Sequence, residues 1–249
     1  MTAEDVKVTS RSATGGDSVS VGDSEGNNAI TLGNGADDSV LVGDIIGGHE
    51  TITLGNGAGD SVRATDTSST IITLGNGIGD SVSGSGGNND MITLGNGSSD
   101  SVTTNRTINS TIALGNGNGD VVDDSPGNGN NMITLGNGND TVYAGANETI
   151  SVGNGNDQLV AAPGDLWTVG RGQDTFTFDA GFGANTIMNF NTSHDVLQLA
   201  AALFPNYAAV MADTQQVGAN SVITYDLNDT ITLTGVAASH LTMSNFKFT

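Results

Sequence analysis

The sequence predicts an all-β chain: a right-handed parallel β-solenoid with coils of about 20 residues, closed by a C-terminal mixed β cap. Three observations lead there. The hexapeptide Ile-Thr-Leu-Gly-Asn-Gly begins at Ile30, Ile52, Ile72, Ile92 and Ile133, with variants at Ile112, Ile150 and Trp167, giving spacings of 22, 20, 20, 20, 21, 17 and 17 residues. Self-similarity at such a period is the mark of stacked units that each contact only their neighbours. Within a unit apolar and polar residues alternate: Ile52 and Leu54 flank Thr53, and Asp60 and Val62 flank Ser61. That period of two describes short strands, with Ile, Leu and Val inward and Thr and Ser outward. Finally, every aromatic residue except Tyr143 lies at or beyond Trp167, so a denser core becomes available only near the C-terminus.

Taken in order, residues 1–16 are polar and are expected to supply a strand or a subunit contact. They contain no apolar run, so no cleaved export signal is expected there. Residues 17–176 form the coils, each with two strands and two turns, and successive coils are about 4.8 Å apart. The Gly-Asn-Gly turns are expected to need positive φ, for which Gly is suited and Asn tolerated. Residues 177–249 form the cap: Ala200–Met211 suits a short helix interrupted at Pro205, and Val222–Tyr225 with Asp229–Leu233 suits a hairpin.

The charge balance excludes partners. With 27 Asp and Glu against 6 Lys and Arg, the net charge is −21, unsuited to nucleic acid or an anionic membrane surface. No run approaches the roughly 18 apolar residues of a membrane span. There is no cysteine, so neither disulfides nor thiolate sites stabilise the chain. Enzymatic patterns are thin. His49, His194 and His240 are scattered, and Ser193-His194-Asp195 is adjacent in sequence, which does not place the three side chains in a relay, so no enzyme is expected.

The charge is concentrated in one pattern. An Asp stands two residues before the inward Val, Leu or Phe of each unit: Asp17, Asp38, Asp60, Asp80, Asp100, Asp120, Asp140, Asp157 and Asp174. Stacked about 4.8 Å apart, neighbouring carboxylates at an effective dielectric of 20 repel by roughly 3 kcal/mol per pair. Summed along the stack, that exceeds the stability of about 5–15 kcal/mol typical of a domain. Asp also favours turns and aids solubility, but nine in register are more than turn preference requires. The ladder asks for cations. Carboxylates with turn carbonyls, and no His or Cys, suit Ca²⁺, which takes 6–8 oxygens; Mg²⁺ prefers water and strict octahedra. The opposite edge, with Asn28, Glu50, Thr70, Asp90, Ser110, Asn131 and Glu148, lacks this regularity, so metal is expected on one side. The column Asn34, Asn56, Asn76, Asn96, Asn116, Asn137 and Asn154 reads as positive-φ turn residues or as stacked amides rather than ligands.

The stretch Leu135-Gly136-Asn137-Gly138-Asn139-Asp140-Thr141-Val142 resembles the nonapeptide Gly-Gly-x-Gly-x-Asp-x-apolar-x of RTX (hemolysin-type calcium-binding) proteins. Val152–Leu159 and Val169–Phe176 are similar. The segments after the repeats, from Asp174–Phe178 through Asp195–Leu199 to Ile231–Val236, also resemble the region C-terminal to the repeats in that family. The resemblance implies a β-roll with Ca²⁺ held in the turns by Asp140, Asp157 and Asp174 with Gly136, Gly138, Gly153 and Gly155. It also implies export by a type I secretion machinery that reads an uncleaved C-terminal signal, here near Leu241–Thr249, to an extracellular or cell-surface location. Five units, those of Asp38, Asp60, Asp80, Asp100 and Asp120, depart from the pattern by one extra residue before the Asp, which is expected to alter the carbonyl geometry.

Function is then expected to be that of a secreted calcium-binding structural protein, folding on Ca²⁺ outside the cell. Such a protein would self-assemble as a homo-oligomer or head-to-tail filament, matrix or surface layer. The alternative is a monomeric calcium-dependent adhesin binding carbohydrate or another surface, or the secretion tail of an RTX effector.

Overall fold

A computed structural model describes residues 5–22, 26–43, 48–65, 69–125 and 129–249, apart from the side chain of Ser85. Residues 1–4 of the expected N-terminal segment therefore lie outside the described residues. The chain coils between two parallel sheets. One holds β1 (Lys7–Thr9), β3 (Ala29–Thr31), β5 (Thr51–Thr53), β7 (Ile71–Thr73), β9 (Met91–Thr93), β11 (Thr111–Ala113), β13 (Met132–Thr134), β15 (Thr149–Ser151), β17 (Leu166–Thr168) and β19 (Ala184–Met188). The other holds β2 (Ser18–Val21), β4 (Ser39–Val42), β6 (Ser61–Thr65), β8 (Ser81–Ser85), β10 (Ser101–Asn105), β12 (Val121–Asp123), β14 (Thr141–Tyr143), β16 (Gln158–Val160), β18 (Thr175–Phe178) and β20 (Val196–Leu199).

The alternation read from the sequence sets the register. Ile30, Ile52, Ile72, Ile92, Ile112, Ile133, Ile150, Trp167 and Ile187 stack in one column. Facing them, Val40, Val62, Val82, Val102, Val122, Val142, Leu159, Phe176 and Leu197 form another, and all of these residues are buried. Because the side-chain period in a strand is two, a one-residue slip would turn the whole inward column to solvent, which fixes the pairing.

Parallel pairing runs past residue 176 into β19 and β20, and β23 (Thr230–Leu233) and β24 (Phe246–Phe248) each add one more parallel strand. Only then does the pattern reverse, with β21 (Thr214–Val217) and β22 (Asn220–Thr224) joining β23 antiparallel. The hairpin predicted around Val222 and Ile231 is therefore present. The helix is shorter than the sequence suggested: α1 (Tyr207–Ala212) starts after Pro205, with the Asn206 side chain accepting the Ala209 amide as its cap. Proline lacks an amide and disfavours a helical residue before it, so residues 200–204 stay outside the helix. The aromatic residues close this end through edge contacts, among them Trp167 with Phe176 at 5.8 Å and Phe178 with Phe182 at 5.2 Å.

Candidate metal centre

Each Asp of the ladder sits at the turn preceding an even-numbered strand, and its carboxylate points into the turn. From Asp38 to Asp174 these side chains are at most 1% exposed. Oδ1 of each accepts the backbone amide of the Asp one coil earlier: Asp60 to Asp80 at 3.0 Å, Asp80 to Asp100 at 3.0 Å, Asp140 to Asp157 at 2.9 Å. The chain of bonds continues across the change in repeat length, Asp120 to Asp140 at 3.1 Å. The extra residue of the longer units is absorbed by a left-handed conformation just before the Asp, at Asp37, Gly59, Gly79, Ser99 and Gly119. The amide-to-Oδ1 bond of the ladder is therefore the same in the longer and the shorter units.

Oδ2 is different. In Asp17, Asp38, Asp60, Asp80, Asp100, Asp120, Asp140, Asp157 and Asp174 this atom is buried and meets no donor. Asp195, which the repeat motif does not reveal, continues the column: it accepts the Asp174 amide at 3.1 Å and satisfies its second oxygen with the Asn191 amide at 2.7 Å. The Asp-x-apolar spacing to Leu197 is the available signal, obscured because no Gly-Asn-Gly precedes it. With both oxygens turned inward, Asp195 makes no relay with His194.

A second acceptor is left over in each turn. The carbonyl of the first glycine bonds the first-glycine amide of the next coil, as from Gly75 to Gly55 at 2.8 Å. The carbonyl of the second glycine instead faces the next second glycine, where no side chain fits. The Cβ position of Gly77 falls against the Gly57 carbonyl oxygen and 2.7 Å from both carboxylate oxygens of Asp80. At Gly138 the corresponding point lies against the Gly117 oxygen and 2.8 and 2.9 Å from the two oxygens of Asp140. At Gly57, Gly77, Gly97, Gly117 and Gly138 carbonyl and carboxylate oxygens of adjacent coils thus converge on a small space that only glycine leaves free; at Gly155 and Gly172 the nearest atoms are backbone atoms of the preceding coil and not the carboxylate. This corrects the sequence-based account of the turn. Up to Gly138 these glycines, with Asn34 to Asn137 between them, are set by close stacking and not by positive φ; the later second glycines Gly155 and Gly172 take a positive φ as well, 158° and 150°. The asparagines form the amide stack, for example Asn96 Nδ2 to Asn76 Oδ1 at 3.1 Å.

Burial, the first cause in each case, raises these acids above the ordinary carboxylate range: Asp60, Asp100, Asp140 and Asp174 to about 6, and Asp157 to about 7. Neighbouring ladder carboxylates push the same way, while the accepted amides oppose the rise. Among the described residues no three His, Cys, Asp or Glu side chains gather closely enough to hold one metal ion. A cation here would rely on ladder carboxylates together with carbonyls.

The opposite edge is more regular than its residue types suggested. Asn28, Glu50, Thr70, Asp90, Ser110, Asn131, Glu148, Asp165 and Asn185 are all buried. Several receive an amide from the neighbouring coil as the ladder does. The Thr70 amide bonds Asp90 Oδ1 at 2.9 Å, that of Asp90 bonds Ser110 Oγ at 3.0 Å, and that of Ser110 bonds Asn131 Oδ1 at 2.8 Å. Any short acceptor serves there, charged or not, which is why no sequence pattern is visible. No helix among the described residues is long and apolar enough to cross a membrane. The chain matches no protein-family model, and no curated protein is recognisably similar to it.

Proposed function

We propose that the chain is a secreted calcium-binding β-solenoid of structural role, similar to RTX proteins, whose charged column is completed by Ca²⁺ outside the cell. The observation that carries this reading is the contrast between the two edges. Where only an acceptor for the neighbouring amide is needed, Asn, Ser and Asp interchange; along the other edge Asp recurs in every repeat unit, and from Asp17 to Asp174 each has a buried oxygen that meets no donor, while Asp195 at the end of the column satisfies both. The invariant part is the charge, and a hard cation is the partner that uses it. Ca²⁺ in the turns would supply positive charge between carboxylates, held by Asp38, Asp60, Asp80, Asp100, Asp120, Asp140, Asp157 and Asp174 with the second-glycine carbonyls. A ligand that binds only the folded chain drives folding by mass action.

Isothermal titration with Ca²⁺ tests the site, using wild type and an Asp140→Ala, Asp157→Ala, Asp174→Ala triple variant. The reading expects fewer bound ions in the variant. Unchanged stoichiometry rejects those positions, and absence of any binding rejects the function.

A second reading, a carbohydrate- or surface-binding module, is favoured by one feature. An open cleft of about 520 Å³ near the C-terminal coils is lined by Asn156, Arg171, Gly172, Gln173, Asn191 and His194. It collects one of the chain's few cations with several amide groups, a lining suited to hydroxyl and carboxylate groups of a sugar. Retention on acidic-glycan resin, lost in Arg171→Ala, would favour it over assembly.

A further inference from the structure

Asp124 does not belong to the repeat pattern. It occupies the inward column that holds Ala64, Gly84 and Thr104 in earlier coils, and it is fully buried. Across the interior it meets Glu148, 1% exposed, and near both lies Asp165, 2% exposed, on the edge away from the ladder. Donors are few. Thr104 Oγ1 donates to Asp124 Oδ1, and Asn131 Nδ2 donates to Asp124 Oδ2 at 2.8 Å and to Glu148 Oε1 at 3.4 Å. Asp165 accepts the Glu148 amide at 3.0 Å and the Ala162 amide at 2.9 Å, so both its oxygens are satisfied. Glu148 Oε2 is buried and has no donor.

We propose that Glu148 keeps a proton in the folded chain, carried on its otherwise unpartnered Oε2 and donated in a hydrogen bond toward the Asp124 carboxylate. The titratable groups acting on Glu148 are Asp124, from the segment after β12, and Asp165, from the turn before β17; both are acids, so neither supplies a counter-charge. Two carboxylates in contact inside a protein do not both ionise readily, and a single proton removes one charge while satisfying the orphaned oxygen. Metal is a poorer occupant, because these three acids do not gather around one point. Burial, followed by the charge of Asp124, pushes Glu148 up to about 9, and burial takes Asp165 to about 7.

The direction of the pH effect follows. The folded chain keeps a proton that the unfolded chain releases above its ordinary value of 4.5. The contribution to stability is therefore complete below that value and is lost as pH rises toward about 9.

The test is proton uptake on refolding at pH 7.5, measured calorimetrically in two buffers of different ionisation enthalpy, for wild type and Glu148→Gln at the same calcium concentration. Gln places an N–H donor where the proton would be, so the variant is expected to fold. It should take up about one proton fewer than wild type, and its unfolding midpoint should change less between pH 7 and 9. Equal uptake overturns the proposal. Should the variant fail to fold, the infrared band of a protonated carboxylic acid in wild type at pH 8 decides, and its absence also overturns the proposal. Because the comparison is made at fixed calcium, the result is independent of whether the ladder binds that ion.

Discussion

The backbone amide of Asp80 donates to Oδ1 of Asp100 at 3.0 Å, while Oδ2 of Asp100 is buried and receives nothing. One oxygen therefore does structural work that an asparagine could do equally well, and the other meets no donor. Replacing Asp100 by Asn separates the two. In chelator at pH 8, Asp100→Asn should raise stability by roughly 1–3 kcal/mol, since it removes a buried charge whose carboxyl is displaced to about 6 and keeps the acceptor. In millimolar Ca²⁺ the same variant should be less stable than wild type. Thermal midpoints in both solutions check this, and a variant more stable in both argues against metal at this position.

Without calcium, the ladder should make folding depend on acidity. The folded carboxyls of Asp60, Asp100, Asp140 and Asp174 lie near 6 and that of Asp157 near 7, above the ordinary 3.8. The folded chain then binds more protons than the unfolded chain between those limits. Stability is greatest near pH 4 and falls as pH rises through about 7. In chelator the chain should be compact at pH 5 and expanded at pH 8, and calcium at pH 8 should restore compactness without release of protons from the ladder, whose carboxyls are already ionised in the expanded chain. Light scattering across that range measures it; a compact chain at pH 8 in chelator removes the need for cations.

Turn glycines should divide by cause. At Gly77 an added methyl would meet the Gly57 carbonyl and both Asp80 oxygens, so Gly77→Ala should destabilise by at least about 2 kcal/mol and lower the number of bound Ca²⁺ ions. Ser99, by contrast, holds a φ of 61° at the place where neighbouring coils have Gly59, Gly79 and Gly119. Relief of that left-handed conformation in Ser99→Gly should stabilise by about 1 kcal/mol. Denaturant unfolding compares the two.

The coil, its register and the ladder are legible in the sequence because each depends on a recurring residue type at a fixed position: the Ile column, the Asp column, the Gly-Asn-Gly turn. Features that depend on stacking between coils are not. Asn28 and Ser110 look unrelated in sequence, yet both use a side-chain oxygen to receive an amide from the preceding coil. Asp124 has an ordinary spacing and becomes significant only because Glu148, 24 residues later in the chain, is buried beside it. The glycines differ from expectation for the same reason: their constraint is the carbonyl one coil away, which local sequence does not display.

The first described coil supports the final prediction. Among the described residues no strand lies beyond β1 or β2, and Val8 and Val19 are only half-buried where their stacking partners Ile30 and Val40 are 1% exposed. Unpaired parallel edges over a partly uncovered apolar column form a template for another copy of the chain. A head-to-tail contact of that kind propagates and does not close on itself. Natural sheets block such edges with an inward-pointing charge, so Val19→Lys should block it here. Wild type in millimolar Ca²⁺ should sediment as long particles whose length grows with concentration, and Val19→Lys should remain monomeric while binding the same number of Ca²⁺ ions. Monomeric wild type at every concentration would count against assembly without touching the calcium sites, because the altered residue lies outside the ladder. Assembly that persists in Val19→Lys would move the contact to another surface of the solenoid.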